Sequence, residues 1–339
     1  MKTTITGGAG FIGSHLTDHL LARGDEVTVL DDLSTGSLDN LGDALRNPAL
    51  TFVEGTILDR DAVQGAVRGA DRVFHLAAAV GVQLIVEQPL RSLRTNIHGT
   101  ENVLDAVRDS GARLLLASTS EIYGKNGADS LDEESDRILG SPLKSRWTYA
   151  AAKGIDEAFA HAYWSEYGVE VAIVRLFNTV GPRQTGRYGM VVPNLIGQAL
   201  TGVPLTVFGD GKQTRCFSYV GDIVPALRIL SEDERALGQA FNLGGAQEVS
   251  IGDLARRIVA QLGSSSRIDL VPYEAAYAPG YEDMRRRVPD NTKANELIGF
   301  VPRTGVDEII ARVAEDLRTR DAVSLMGAPG DLAKEKVGG

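Results

Sequence analysis

The glycine-rich turn Thr6-Gly7-Gly8-Ala9-Gly10-Phe11-Ile12-Gly13 constrains this chain more than any other segment. It joins a short apolar-leaning run at residues 2–6 to a stretch of helical spacing, in which Phe11, Ile12, His15, Leu16, His19 and Leu20 recur and Gly24 ends the pattern. Glycines spaced G-x-x-G-x-x-G permit a tight turn and let backbone approach a bound group. The helix that follows offers free N–H groups and the positive end of its dipole, which suits phosphate oxygens. Strand, turn and helix in that order predict a dinucleotide pyrophosphate site. Asp31 ends the next apolar run, residues 27–30. A carboxylate there accepts hydrogen bonds from a ribose 2′-hydroxyl and repels a 2′-phosphate, which points to NAD rather than NADP.

The pattern continues. Residues 51–53, 72–76, 114–117 and 171–176 read as further strands, and 100–110 and 149–167 as helices. Continuous apolar strands alternating with helices predict an α/β fold, a doubly wound parallel sheet covered on both faces. A length of 339 residues suits that unit plus a smaller lobe. We assign residues 1–180 to the dinucleotide-binding domain, with a return strand near 240–245, and 181–320 to a substrate-binding lobe broken by repeated prolines. Residues 327–339 are expected to form a mobile tail.

Composition narrows the partners. A net charge of −10 argues against nucleic acid and anionic membranes. A phosphate-bearing ligand therefore needs local arginines and N–H groups. The single cysteine, Cys216, builds neither a disulfide framework nor a thiolate metal site and fits a cytoplasmic location. There is no signal-peptide pattern and no apolar run near the ~18 residues of a membrane span. No metal is expected: His15 and His19 share a helix face without an evident carboxylate ligand, and His75 and His98 read as structural.

Tyr149 and Lys153 lie four apart, on one helix face. Ser118-Thr119-Ser120-Glu121 follows the strand at 114–117, and strand C-termini open onto the ligand crevice in such sheets. A tyrosine hydroxyl is a poor base at neutral pH. The Lys153 ammonium and an oxidised nicotinamide both favour the phenolate, and a shift of about three units is worth roughly 4 kcal/mol. Tyr149 is then a general base toward a substrate hydroxyl, with Thr119 bonded to the same oxygen.

The glycine turn, Asp31, Thr119 with Tyr149-x-x-x-Lys153, and Asn178 ahead of Gly181-Pro182-Arg183 resemble the extended short-chain dehydrogenase/reductases, over nearly the whole chain to about residue 315. These are the nucleotide-sugar epimerases, dehydratases and decarboxylases. The resemblance implies a Rossmann-type sheet, NAD as cofactor, a UDP-sugar substrate, and a homodimer built through the helices at 100–110 and 149–167. It assigns catalysis to Thr119, Tyr149 and Lys153, with Ser120 and Glu121 as a further pair. Gly7, Gly10, Phe11, Ile12, Gly13, Asp31, Asp32, Ser34, Thr35, Gly36, Ile57, Leu76, Ala77, Ala78 and Asn96 match cofactor-lining positions, joined by Tyr149 and Lys153. Thr56 stands where many members carry an aspartate. On the substrate side the resemblance marks Asn178, Arg183, Val192, Val207, Phe208, Arg215 and Arg287: Arg215 and Arg287 for the pyrophosphate, Val207 or Phe208 against the uracil ring, and Arg183 for a sugar carboxylate or for holding its own loop.

Members of this family begin by oxidising the sugar at C4 and diverge afterwards. Glu121 after Ser120 resembles the decarboxylases and dehydratases, where an extra acid/base sits, although a carboxylate there also serves to orient neighbours. Residues 76–82 resemble uronate and hexose 4-epimerases. The reading preferred from sequence is a UDP-sugar 4-epimerase, with UDP-glucuronate ahead of UDP-glucose. A UDP-glucuronate decarboxylase and a 4,6-dehydratase are the alternatives. A non-catalytic NAD-binding regulator is the reading from a different class, and the intact Thr119/Tyr149/Lys153 set argues against it.

Overall fold

The computed structural model describes residues 1–81, 88–186, 189–273 and 284–320. Val82 of the epimerase-like segment and the whole 327–339 tail lie outside the described residues.

Among the described residues the strands are β1 Lys2–Thr6, β2 Glu26–Asp31, β3 Leu50–Glu54, β4 Arg72–His75, β5 Arg113–Thr119, β6 Val171–Leu176, β7 Thr179–Val180, β8 Leu205–Phe208, β9 Thr214–Cys216, β10 Ser218–Tyr219, β11 Ala240–Leu243, β12 Glu248–Ser250 and β13 Ile268–Val271. The helices are α1 Phe11–Leu21, α2 Leu38–Leu41, α3 Arg60–Val67, α4 Pro89–Ser110, α5 Thr148–Tyr167, α6 Val191–Thr201, α7 Val220–Glu232, α8 Ile251–Leu262, α9 Thr292–Ile298 and α10 Val306–Thr319. No described helix is long and apolar enough to cross a membrane.

The central sheet has seven strands in the order β11-β6-β5-β4-β1-β2-β3, all parallel. This is the doubly wound Rossmann-type α/β architecture that the alternation of apolar runs predicts. The order reverses between β1 and β4, so the crevice of the switch point opens beyond Thr6 and His75. The run at 240–243 supplies the outer strand, paired with β6 from Ala240 opposite Ile173 to Leu243 opposite Leu176.

Strand periodicity of two sorts the core onto the two faces. Ile5, Val29, Phe74, Leu115 and Val174 pack with Leu16 and Leu20 of α1 and Ile223 and Leu227 of α7. Their neighbours Leu30, Val73, Leu114, Leu116 and Ile173 pack on the other face with Val103 and Val107 of α4 and Ala160 of α5. A third apolar cluster joins α6, α8, α10 and β8 through Leu195, Leu254, Ile258, Ile309, Val313 and Leu205.

Local signals set the helix ends. Pro89 opens α4, and α4 and α5 close on Gly111 and Gly168, both in the left-handed region. The helix carrying residues 100–110 therefore begins eleven residues before the start read from sequence. A buried fork then locks α5 to the sheet. The Arg175 guanidinium donates to Glu157 at 2.7 Å through Nη2 and to the Tyr123 hydroxyl at 2.9 Å through Nη1. Ser118 donates to the same Glu157 carboxylate, and Tyr123 donates to Asn242 Oδ1 at 2.7 Å. Side chains of β5, β6 and β11 thus fix one turn of α5 and, with it, the turns that carry Tyr149 and Lys153.

Candidate active site

The glycine turn closes against the opposite wall of the crevice. Gly7 has φ +77°, and a Cβ there would lie 2.6 Å from the Ala77 backbone nitrogen. A Cβ on Gly13 would lie 2.1 Å from the Gly7 carbonyl oxygen. Backbone therefore packs on backbone, and α1 begins at once. Gly10 is its N-cap and provides no side-chain acceptor, and Ser14 N–H to the Gly10 carbonyl is a first helical bond, at 3.0 Å. The N–H groups of the first turn have no intrahelical acceptor, which makes an anion cradle.

Asp31 anchors the far side of this cradle. Its Oδ2 accepts from Ala9 N–H and its Oδ1 from Leu33 N–H, each at 2.9 Å. Burial raises the Asp31 carboxyl pKa, against those two bonds. A carboxylate accepts about four hydrogen bonds, so capacity remains for a ribose hydroxyl. Gly36 packs beside it, Thr35 is half-buried, and exposed Ser34 donates its N–H to Asp32. Asn96 is buried and holds the other wall, accepting from Ala79 N–H at 2.9 Å and donating to the Ala79 carbonyl at 3.3 Å. That clamp sets residues 76–79, where Leu76, Ala77 and Ala78 are half-buried at the end of β4, while Ile57 is buried against Gly99 of α4. These residues fit a dinucleotide.

Gly13→Ala is expected to cost about 1–3 kcal/mol of stability, the usual cost of overpacking, and to abolish dinucleotide binding. A thermal melt with and without added dinucleotide checks this.

At the end of β5, Thr119 hydrogen-bonds the Tyr149 hydroxyl, and its own oxygen accepts from Glu121 N–H at 3.2 Å. Tyr149 is 7% exposed. Burial, then the Glu121 and Asp156 carboxylates, hold its hydroxyl above the ordinary tyrosine range, and the Thr119 bond opposes them. The lowering expected from Lys153 together with an oxidised nicotinamide is not present in the protein alone. The Lys153 ammonium pairs with Asp156 Oδ2 at 3.0 Å, so a carboxylate offsets its charge.

Glu121 lies among arginines. Its carboxylate accepts from Arg146 Nη1 at 2.6 Å and Nη2 at 3.2 Å, and Arg287 Nη1 stands 3.5 Å away. Burial alone would push this carboxyl up, but the Arg146 and Arg287 charges, the Arg146 hydrogen bond and the Arg215 charge outweigh it and hold it at about 2. Glu121 is held ionised by these guanidinium groups and in turn orients them.

Arg287 is buried and donates to Ser120 Oγ through Nη1 and to Asn178 Oδ1 through Nη2, both at 3.2 Å. Two backbone pairings place it. Thr214 N–H donates to the Arg285 carbonyl at 2.9 Å, and Leu131 N–H donates to the Val288 carbonyl at 2.9 Å. The guanidinium thus lies at the Ser120–Glu121 end of the crevice. Arg215, also buried, donates to the Thr214 carbonyl at 2.8 Å and acts on Glu121 through its charge.

Two substrate-side expectations change, and one is narrowed. Arg183 turns to α1 and pairs with Asp18 at 2.7 Å, while its N–H donates to Asp316 at 3.0 Å, the contacts of the loop-holding alternative. Val192 and Val207 are 1% and 0% exposed within the third apolar cluster and offer no surface to a ligand. Strand alternation explains Val207: Leu205 and Val207 point inward, leaving Phe208 half-buried on the other face. Among the other residues weighed, His15 meets the Pro182 carbonyl at 2.9 Å and Cys216 is a buried thiol that burial pushes up to about 12.

Comparison with known proteins now decides the family. The family model described as GDP-mannose 4,6 dehydratase matches residues 4–313. The chain belongs to this family of extended short-chain dehydrogenase/reductases. It is 41% identical over 308 residues to a UDP-N-acetyl-alpha-D-glucosaminuronate decarboxylase of Bacillus cytotoxicus, covering 91% of this chain and 94% of that protein. It is 39% identical over 309 residues to UDP-glucuronic acid decarboxylase 1 of Xenopus tropicalis, covering 91% and 70%. Its fold matches a UDP-glucuronic acid 4-epimerase of Bacillus cereus, solved with UDP-glucuronic acid and NAD, at a TM-score of 0.84 and 28% identity, covering 94% and 99%. The protein is thus a nucleotide-sugar-modifying short-chain dehydrogenase/reductase. The curated relatives favour the decarboxylase alternative over the epimerase reading.

The family's Thr-Tyr-Lys pattern was visible in the sequence, but two charged residues around it were not. Arg146 lies three before Tyr149, and Asp156 three after Lys153. Helical spacing hinted at the second. Nothing local announced that Arg146 reaches back to Glu121.

Proposed function

We propose that this protein is an NAD-dependent decarboxylase of a UDP-linked uronic acid. The observation that carries the proposal is Arg287 held against Ser120, Asn178 and Glu121, next to the Thr119–Tyr149 pair. Arg146, Arg215 and Arg287 all act on the Glu121 carboxylate. A guanidinium cluster of this kind suits a sugar that carries a carboxylate of its own. The names of the curated relatives support the same reaction class.

The residues of the glycine turn, Asp31 and the 76–79 wall would hold NAD, which when bound would supply the hydride acceptor and donor for C4. Tyr149 takes the proton of the C4 hydroxyl, with Thr119 bonded to the phenolic oxygen. Once C4 is a ketone, the C6 carboxylate lies β to it. The C5–C6 bond then breaks, CO2 leaves, and the electron pair moves onto the C4 oxygen; a proton from solvent water then adds at C5 and restores the 4-ketone before C4 is reduced. The Tyr149 hydroxyl, kept protonated by burial and its carboxylate neighbours, donates to that developing charge. Arg287 holds the departing carboxylate in the site, and Glu121 holds Arg146 and Arg287.

Purified protein incubated separately with UDP-glucuronate and UDP-N-acetylglucosaminuronate is expected to release CO2 and give a UDP-pentose by proton NMR. A UDP-galacturonate product without CO2 would replace this reading with epimerisation, and a 4-keto-6-deoxy product from UDP-glucose would replace it with dehydration.

A further inference from the structure

We propose that Asn242 is a positioning residue of the active site: the two ends of its buried amide clamp the turn that carries Ser120 and Glu121 to the segment that carries Arg287, and so fix where that guanidinium stands. Asn242 lies on β11 and is 0% exposed. A carbonyl oxygen only accepts, so the amide nitrogen is the end that meets Leu131, donating to its carbonyl at 2.9 Å. The amide oxygen at the other end accepts from the Tyr123 hydroxyl at 2.7 Å.

Each end of the amide leads to one half of the site. Tyr123 is buried and ends the turn Ser120–Tyr123, two residues after Glu121. Leu131 pairs with the stretch that follows Arg287: its N–H donates to the Val288 carbonyl at 2.9 Å, and its carbonyl accepts from Asp290 N–H at 2.8 Å. Glu133 secures the same stretch to the outer strands. Its Oε1 accepts from Asn242 N–H at 2.6 Å, and its carbonyl accepts from Arg175 Nη1 at 2.7 Å. The two halves meet again where Arg287 donates to Ser120 Oγ at 3.2 Å and stands 3.5 Å from Glu121. A closed ring of bonds therefore runs from the Ser120–Tyr123 turn through Asn242, Leu131 and Val288 to Arg287 and back.

Arg287 needs such a clamp because its own backbone is irregular, belonging to neither helix nor strand. Its place is set by the pairings around it. Thr214 N–H holds the Arg285 carbonyl at 2.9 Å, and Asn291 exchanges bonds of 3.0 and 2.9 Å with the backbone of Gly244. Those pairings tie the segment to β9 and to the end of β11, and neither includes the Ser120–Tyr123 turn. The Asn242 amide joins the segment to that turn. Guanidinium recognition of a carboxylate is directional, and a misplacement of about 1 Å in a reacting site costs up to about 10²-fold in rate. That Arg287 acts on a sugar carboxylate rests on the proposed decarboxylation; the clamp itself does not.

Asn242→Leu keeps the branched shape and removes both the donor and the acceptor. Arg175 still donates to the Tyr123 oxygen, and Asp290 N–H still donates to the Leu131 carbonyl, so the protein should fold. A crystal structure of the substrate-free variant is expected to show Arg287 Nη1 and Ser120 Oγ, 3.2 Å apart in the unsubstituted chain, beyond hydrogen-bond range. With the UDP-uronate that the wild type decarboxylates, CO2 release should fall about ten- to a hundredfold while reduced nicotinamide accumulates. In an Arg287→Met background the same substitution should change CO2 release by less than about twofold, because the residue it acts through is gone. Tyr123→Phe, which takes one oxygen out of the clamp, should displace Arg287 in the same sense by less, and it gives the answer if the leucine variant does not fold. An unmoved Arg287 in whichever of these two variants folds would overturn the proposal. So would losses that multiply in the double variant, the behaviour of two independent sites. A displaced Arg287 with CO2 release unchanged keeps the clamp and removes Arg287 from the proposed decarboxylation. A wild type that releases no CO2 refutes that reaction, and the Arg287–Ser120 separation then decides the clamp by itself.

Discussion

Tyr149→Phe is expected to lower turnover by about 10²–10⁴-fold, the usual contribution of a positioned acid–base group, while leaving the fold and dinucleotide binding as they are. The ring is almost wholly buried, and phenylalanine fills the same volume. The Thr119 hydroxyl loses one partner and keeps the Glu121 N–H at 3.2 Å. The Lys153–Asp156 and Arg146–Glu121 pairs do not include the phenol. The pH dependence adds a second signature. A base whose pKa is raised by burial and by two carboxylates is mostly protonated at neutral pH, so wild-type turnover should climb as pH rises from about 6 to 9. The phenylalanine variant should lose that slope along with its rate. Steady-state rates across pH, a thermal melt and a dinucleotide titration on the same two preparations check all of this. Comparable turnover in both would remove Tyr149 from the chemistry.

The sheet was legible because each buried strand is a nearly unbroken apolar run, and the glycine turn was legible because its spacing admits few backbones. Strand ends were less so. β5 runs on through Ser118 and Thr119, whose polar side chains broke the apolar signal although Ser118 belongs to the buried Glu157 fork. The early turns of α4 were missed for the same reason, since its first eleven residues carry few apolar side chains. Position along the chain also says little about which arginine faces a ligand. Arg183 and Arg287 both follow family-like motifs, yet one closes on Asp18 of the first helix and the other on Ser120 and Asn178. What separates them is long-range pairing: the 285–288 segment is held by Thr214 and Leu131, far away in sequence. The carboxylate that offsets Lys153 has a similar origin. Lys153 alone predicts a lowered phenol, and only the folded helix shows Asp156 against it.

Arg287→Met is expected to separate the two halves of the proposed reaction. Removing one preorganised charged donor from a catalytic site costs about 10²–10³ in rate, and here the loss should fall on CO2 release, with C4 oxidation largely retained. Glu121 keeps its Arg146 contacts at 2.6 and 3.2 Å, so the substitution leaves no buried carboxylate without a cation and the protein should fold. Thr119 and Tyr149 are untouched. With a UDP-uronate, the variant should therefore accumulate reduced nicotinamide, seen by its absorbance, while CO2 falls. Arg287→Lys should do little better, because a point charge does not span Ser120 and Asn178 as the two guanidinium nitrogens do. A methionine variant that released CO2 at the wild-type rate would mean that the carboxylate is held elsewhere. One that lost both oxidation and CO2 release together would place Arg287 in binding the whole nucleotide sugar, the pyrophosphate included. The position of Arg287 beside Ser120 favours the first outcome: under the proposed reaction its charge would act on the sugar carboxylate, and its removal should be felt after the ketone has formed.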